Sequence, residues 1–229
     1  MSKHPREVTS SQDVVASLFS RRAVLGGLAS VCFGARFSTP AISAEYGSFR
    51  GTVVAEWLPD GRNMRLVQPF EYVGPDGRRW PVPSGVVVDG ASIPSVFWSI
   101  IGGPFEGRYR APSVVHDYYC GRRTRPYQDV HQNFHNAMLC AGVSTQKAWL
   151  MFQAVTRFGP QWADPKVPAQ CEIVDENYNF ELCARNFSRP SVRWVKVERR
   201  SLLDFIDEAG GKADPADLEK LRIAIEALK

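Results

Sequence analysis

Most of the common catalytic signatures are missing from this 229-residue chain. No Cys-x-x-Cys pair occurs, which removes zinc-ribbon and thioredoxin-type sites. There is no Gly-x-Ser-x-Gly elbow for a serine hydrolase, and no Gly-x-Gly-x-x-Gly or P-loop to cradle phosphates. Histidine is scarce, with four in the chain, and His4 is the only one upstream of the His116-Asp117 pair. That excludes the His-Asp phosphohydrolase arrangement, which needs a further histidine before its His-Asp pair. No apolar run is long enough for a comfortable membrane span. Strong net charge is lacking too. The first 44 residues carry five of the 28 basic and two of the 24 acidic side chains, so the remainder is within one charge of neutrality. Such a chain has no overall field to attract nucleic acid or anionic lipid. The Arg122, Arg123, Arg125 group is the one local basic cluster, and it reads as a solvated turn between helices.

Residues 1–44 read as a leader. Ser20-Arg21-Arg22-Ala23-Val24-Leu25 opens a mild, glycine-rich apolar stretch ending at Ile42-Ser43-Ala44, which resembles a twin-arginine export signal with a small residue for cleavage. The resemblance implies delivery to the periplasm, with membrane contact only during export. Val31 before Cys32 is too bulky for a lipoprotein site. Four cysteines then remain, Cys120, Cys140, Cys171 and Cys183; they can pair in three ways or act as small buried residues.

Strand signals follow over Phe49 to Trp57, Met64 to Val73 and Arg79 to Val88, separated by Pro59-Asp60-Gly61 and Pro75-Asp76-Gly77, and these predict an antiparallel meander. After a short apolar segment from Pro94, broken by Gly102-Gly103-Pro104, three helices are expected. The first runs from about Pro112 to a stop at Gly121, the second from Pro126 to Ala141. The third is capped by Ser144 and ended by Gly159-Pro160. A strand within Val192 to Val197 and a helix over Ser201 to Glu208 come next. A last helix is capped by Asp214-Pro215, and its Leu218, Leu221, Ile225 and Leu228 form an apolar seam for the domain or for a partner protein.

The chemistry-bearing residues gather between Val88 and Trp162. On a helix His116 and Asp117 point about 100° apart, so they serve neighbouring tasks. His131 and His135 are four apart on the next helix and share a face, a spacing suited to a metal. Three readings stay open. His116 is a general base with Asp117 binding a cation, which makes His116 and Asp117 the catalytic pair. Alternatively His116, His131 and His135 bind zinc, with Asp117 as a further ligand or as a hydrogen-bonded support to one of them. In the third, the same groups form a buried hydrogen-bond network with Asp89 and Ser92. Tyr118 and Asp129 complete the supporting set.

With these residues stated, Val88 to Trp162 resembles the bacterial and phage family called domain of unknown function 1353. The matching pieces are Asp89-Gly90-Ala91-Ser92-Ile93-Pro94, Gly102-Gly103-Pro104, Val115-His116-Asp117-Tyr118, Ala141-Gly142-Val143-Ser144, and Phe158-Gly159 with Trp162. The sequence departs from that pattern at Cys120, where the family tends to have tyrosine, and at Val130-His131, where it tends to have Ala-Asp. The family name implies no activity; its His-Asp arrangement is similar to that of calcium-dependent phospholipase A2.

The expected architecture is α+β, a short antiparallel meander packed against a three-helix bundle. A leader (1–44) precedes this domain (45–165), and an extension with a helical hairpin (166–229) follows it. The expected function is a metal-assisted hydrolase, with zinc or calcium, of a small-molecule or lipid substrate bearing an ester or phospholipid-like bond. The alternative is a non-enzymatic periplasmic binding or envelope-assembly module.

Overall fold

The computed structural model describes residues 45–90, 92–103, 105–166 and 188–228. The expected twin-arginine signal, Cys171 and Cys183 lie outside them.

Each of the three strand-forming runs is bent at its middle, so that its two halves lie in different sheets. One sheet holds β1 (Ser48–Arg50), β4 (Phe70–Val73) and β5 (Arg79–Val82). The other holds β2 (Ala55–Trp57), β3 (Met64–Leu66) and β6 (Val87–Val88). One register nevertheless runs through both: Ser48 faces Val73 and Trp57 faces Met64, while Phe70 faces Val82 and Met64 faces Val88. The expected meander is therefore present, with a corner. Gly51 and Gly85 take positive φ at that corner. Pro69 and Pro83 sit beside it without ladder donors. Bonds from Val67 N–H to Val54 (2.8 Å) and from Leu66 N–H to Val86 (2.9 Å) carry the pairing across. The Asp-Gly turns form as their chemistry dictates. Asp60 accepts from the amides of Arg62 and Asn63 (2.9 Å and 2.8 Å), and Gly61 supplies the positive φ.

Side chains alternate across these strands, so Met64, Leu66, Phe70, Tyr72, Trp80, Val82 and Val88 all point inward. They pack on Val114, Val115, Tyr118 and Tyr119 of α2 (Arg110–Arg122), which follows the short α1 (Trp98–Ile101). The next helix, α3 (Tyr127–Cys140), serves two cores. Val130 and Ala137 join the sheet side, whereas Phe134 and Met138 join a second core with Leu150, Met151, Ala154 and Val155 of α4 (Thr145–Phe158). Ser144 caps α4 as expected, accepting from Lys147 N–H.

One boundary differs from expectation. Gly121 does not stop α2. The helix continues through Arg122, and Arg123 takes the left-handed cap position at φ 53°, its N–H bonding to the Tyr119 carbonyl at 2.8 Å. A non-glycine residue there costs about 1 kcal/mol of backbone strain.

Beyond 188, β8 (Arg193–Trp194) pairs with β7 (Pro160–Gln161), and helices α5 (Arg199–Ala209) and α6 (Pro215–Glu226) follow. Asp214 caps α6, accepting from Ala216 N–H at 2.8 Å. The expected seam is covered by the chain itself. Leu221 and Ile225 are fully buried in the second core with Phe97, Leu202 and Phe205, Leu218 packs at its edge, and Leu228 is exposed. No helix among the described residues is long and apolar enough to cross a membrane.

Candidate metal centre

Residues four apart on a helix share a face. On α2 this places Cys120 one turn beyond His116, and α3, joined to α2 by a short turn, packs His131 against both. All three are buried. His116 Nε2 and His131 Nδ1 are 2.9 Å apart, and Cys120 Sγ lies 3.6 Å from His116 Nε2 and 3.8 Å from its Nδ1. These histidine nitrogens and the sulfur all fall within 4.8 Å of one another.

Second contacts fix the imidazoles. His131 Nε2 is 3.2 Å from the Pro160 carbonyl oxygen, which can only accept, so Nε2 carries the proton. Burial pushes the His131 pKa down to about 4, which keeps the ring neutral and Nδ1 bare at physiological pH. His116 packs its ring over Phe134, with centroids 4.6 Å apart. Trp162 stands edge-on to His131, its Nε1–H donating to the Arg125 carbonyl (2.8 Å). The Cys120 thiol is raised well above its ordinary range by burial, with the Asp117 charge adding to the effect and the Ser92 hydroxyl opposing it. Without a cation it stays protonated. Its near-equal distance to both His116 nitrogens puts the sulfur across the ring rather than on either lone pair, a poor geometry for a thiol–imidazole nucleophile.

Asp117 faces another way, as the helical turn requires. Its carboxylate accepts from Asp89 N–H at 2.8 Å and the Ser92 hydroxyl at 3.3 Å. Burial and the neighbouring Asp89 charge raise its pKa to about 7, against those two hydrogen bonds. Ser92 holds φ at 51°, an uncommon value outside glycine. Arg62 reaches Asp89 at 3.1 Å. These residues border a pocket of about 780 Å³ between the Asp89–Pro94 turn, the end of α2, Phe158 and Pro160, and the Val192–Val197 segment. Of the converging three, Cys120 lines the pocket, and His116 and His131 do not.

The other candidates lie elsewhere. His135 is half-buried against Phe152 (ring centroids 5.1 Å) and is not part of the converging group. Asp129 holds Arg78 at 2.7 Å on the surface. Tyr118 is buried edge-on to Tyr119, with the Arg122 guanidinium 5.9 Å from its ring centre. The structure thus brings His131 to His116 and Cys120, and separates it from His135 and Asp117. Sequence reasoning did not single out Cys120, although its four-residue spacing from His116 is the signal that singled out His131 and His135. Cys120 and His131 are also the two departures from the family pattern, and both touch His116. Cys120 and Cys140 are free thiols.

No solved structure matches this chain. Two proteins of Sinorhizobium fredii (strain NBRC 101917 / NGR234) are similar to it. "Uncharacterized protein y4jT" is 38% identical over 160 residues, which covers 69% of this chain and 47% of that protein. "Uncharacterized protein y4iH" is 38% identical over 103 residues, covering 45% and 43%. The chain spans about half the length of the curated relatives it matches. Residues 64–155, which hold α2, α3 and therefore the whole His116, Cys120, His131 cluster, match the family described as "Protein of unknown function (DUF1353)".

Proposed function

We propose that the pocket is the active site of a metal-assisted hydrolase whose ion is held by His116, Cys120 and His131. The convergence of three donor atoms within 4.8 Å carries this reading. Tetrahedral zinc, with bonds of about 2.0–2.1 Å to nitrogen and 2.3 Å to sulfur, separates two nitrogens by about 3.3 Å and nitrogen from sulfur by about 3.6 Å. The 2.9 Å between the imidazoles is near the first distance, whereas the Cys120 sulfur, 3.6 Å from His116 Nε2 but off its lone pair, would have to swing to the lone-pair side to join it. The Pro160 carbonyl fits the same picture, because a ligating histidine commonly donates its other N–H to such a group. Three protein ligands would leave zinc a fourth position for water, and Cys120 is the one of the three that lines the pocket.

A zinc ion held there would supply Lewis acidity and lower the pKa of a bound water. The chain does the rest. Because His116 is committed to the ion in this arrangement, the role of accepting a proton from water passes to Asp117, whose carboxyl borders the same pocket. Asp89 N–H and the Ser92 hydroxyl hold that carboxyl in place, and the apolar surfaces of Ile93, Trp98 and Phe158 suit the organic part of an ester or phospholipid-like substrate.

A second reading has its own support: the 2.9 Å imidazole contact and the Pro160 contact already satisfy His131, as in a structural network around a non-enzymatic binding pocket. Metal analysis of the purified protein beside His131→Ala separates the two. The hydrolase reading expects one zinc per chain, lost in the variant; a metal-free wild type supports the network. Cobalt substitution guards against misfolding. A thiolate-to-cobalt absorption band that disappears in Cys120→Ser places the sulfur on the ion even if zinc retention is ambiguous.

We propose further that the chain is exported to the periplasm through the twin-arginine pathway, on the strength of Arg21-Arg22 and Ala44. Replacing Arg21-Arg22 with Lys-Lys should leave the precursor in the cytoplasm, and continued delivery would refute the assignment.

A further inference from the structure

Among the described residues two arginines, Arg62 and Arg123, line the pocket, and Arg122 and Arg125 flank the second of them in sequence. Arg62 holds Asp89 at 3.1 Å. Arg125 lies 4.0 Å from the centre of the Trp80 ring and donates to the Arg79 carbonyl at 2.7 Å. Arg122 sits over Tyr118. Arg123 lines the pocket, and its Nε is shielded from solvent with no hydrogen-bond partner among the described residues, a state shared by Ser113 Oγ and Thr124 Oγ1. A buried donor left in that state is costly, so its presence calls for an acceptor.

The backbone adds a second observation. Arg123 occupies the left-handed cap at φ 53° and ψ 39°, a position that favours glycine and penalises a side chain with a Cβ. Gly121, two residues earlier, shows that the helix could have ended on glycine. Strain of this kind persists where the surroundings impose it, and here it accompanies the placing of Arg123 on the wall of a cavity. The guanidinium fork matches a two-oxygen anion. The acidic groups of the pocket are engaged elsewhere, Asp89 by Arg62 and Asp117 by the Asp89 amide and Ser92. Trp98, Phe158 and Trp194 give the pocket aromatic surface.

We infer that Arg123 is the anion-binding residue of this pocket, and that the ligand carries a phosphate-type oxyanion joined to an apolar or aromatic group. This names a substrate class for the proposed hydrolase and rests on the pocket being its substrate site, but it does not require the ion.

The test uses phenyl phosphate as the probe and calorimetry as the readout, on wild type, Arg123→Gly and Arg123→Asn. Both replacements tolerate the left-handed conformation, so the fold is kept while the guanidinium is lost. At least a tenfold weakening of phenyl phosphate in both variants, with phenol binding unchanged, is expected. No phenyl phosphate binding by the wild type, or binding by the variants within twofold of it, would overturn the inference. Vesicles of phosphatidic acid form a second arm. Arg123-dependent binding to vesicles identifies a lipid headgroup as the source of the phosphate, and binding confined to the soluble ester identifies a small phosphoester. Repeating the titration after chelation separates this inference from the metal reading. Arg123-dependent binding by a protein that never held metal sinks only the latter, whereas a zinc-loaded protein indifferent to Arg123 sinks only the former.

Discussion

His131 Nε2 lies 3.2 Å from the Pro160 carbonyl oxygen, and this contact decides what the rest of the ring can do. A carbonyl cannot donate, so the proton sits on Nε2 and the lone pair on Nδ1 is directed at His116. The contact also joins α3 to the segment after α4, so the ring is held from outside the cluster as well as within it. The same bare nitrogen serves a hydrogen bond from His116 or a bond to a metal. That choice separates a structural network from an active site.

The C-terminal helices share a core with α1 and α4, and Leu221 makes this testable. It is fully buried beside Phe97 and Phe205. Leu221→Ala should cost about 2–5 kcal/mol. It should do so in one unfolding transition seen by both near-UV and far-UV circular dichroism. A separate early transition, or no loss, would show residues 188–228 to be an independent appendage.

Glu71 is a carboxylate with 1% side-chain exposure, held by Arg79 at 2.5 Å and 3.2 Å and by Arg50 at 3.5 Å. Arg79 and Arg50 are 33% and 62% exposed, so water can solvate them once the carboxylate is gone. Glu71→Gln is therefore expected to lower stability by about 1.5–3 kcal/mol in chemical denaturation, the worth of hydrogen bonds to a charged group. A change below about 0.5 kcal/mol would mean that water replaces the carboxylate fully, as at an exposed pair.

His135 provides a pH test away from the cluster. Burial holds its pKa below the ordinary value, so below about pH 6.5 the unfolded chain binds a proton that the folded chain resists. Its contribution to stability is therefore present above that pH and fades as pH falls. Urea midpoints at pH 7.5 and 5.5 should differ more for the wild type than for His135→Phe. Equal differences would place the acid sensitivity elsewhere, with His131 the leading candidate.

Where local chemistry decides the structure, the sequence was enough. Asp60-Gly61 forms its hairpin, Ser144 and Asp214 cap their helices, and Gly142 ends α3 with φ at 78°. The corner in the meander was less legible. Pro69 and Pro83 mark it, but the β-branched residues on either side read as unbroken strands, because the register continues through the bend. The cluster depended on the rotation of α2 against α3, which helical spacing does not specify. The pair His131 and His135 shares a face of one helix, yet the neighbours of that face differ from turn to turn. His131 meets α2, and His135 meets Phe152 of α4. Arg123 was hidden for a different reason. Glycine is the usual left-handed cap, so Gly121 drew the boundary to itself and left the arginine looking like part of a solvated turn.

The most direct test of the central claim is the metal content of the purified wild-type protein, read by elemental mass spectrometry and followed by the cobalt spectrum of wild type and Cys120→Ser. The account predicts one zinc per chain, and a cobalt–thiolate absorption band that the serine variant lacks. A protein that holds no zinc after equilibration with it, and shows no thiolate band with cobalt, would contradict the metal centre and leave His116, Cys120 and His131 as a hydrogen-bonded brace behind a binding pocket.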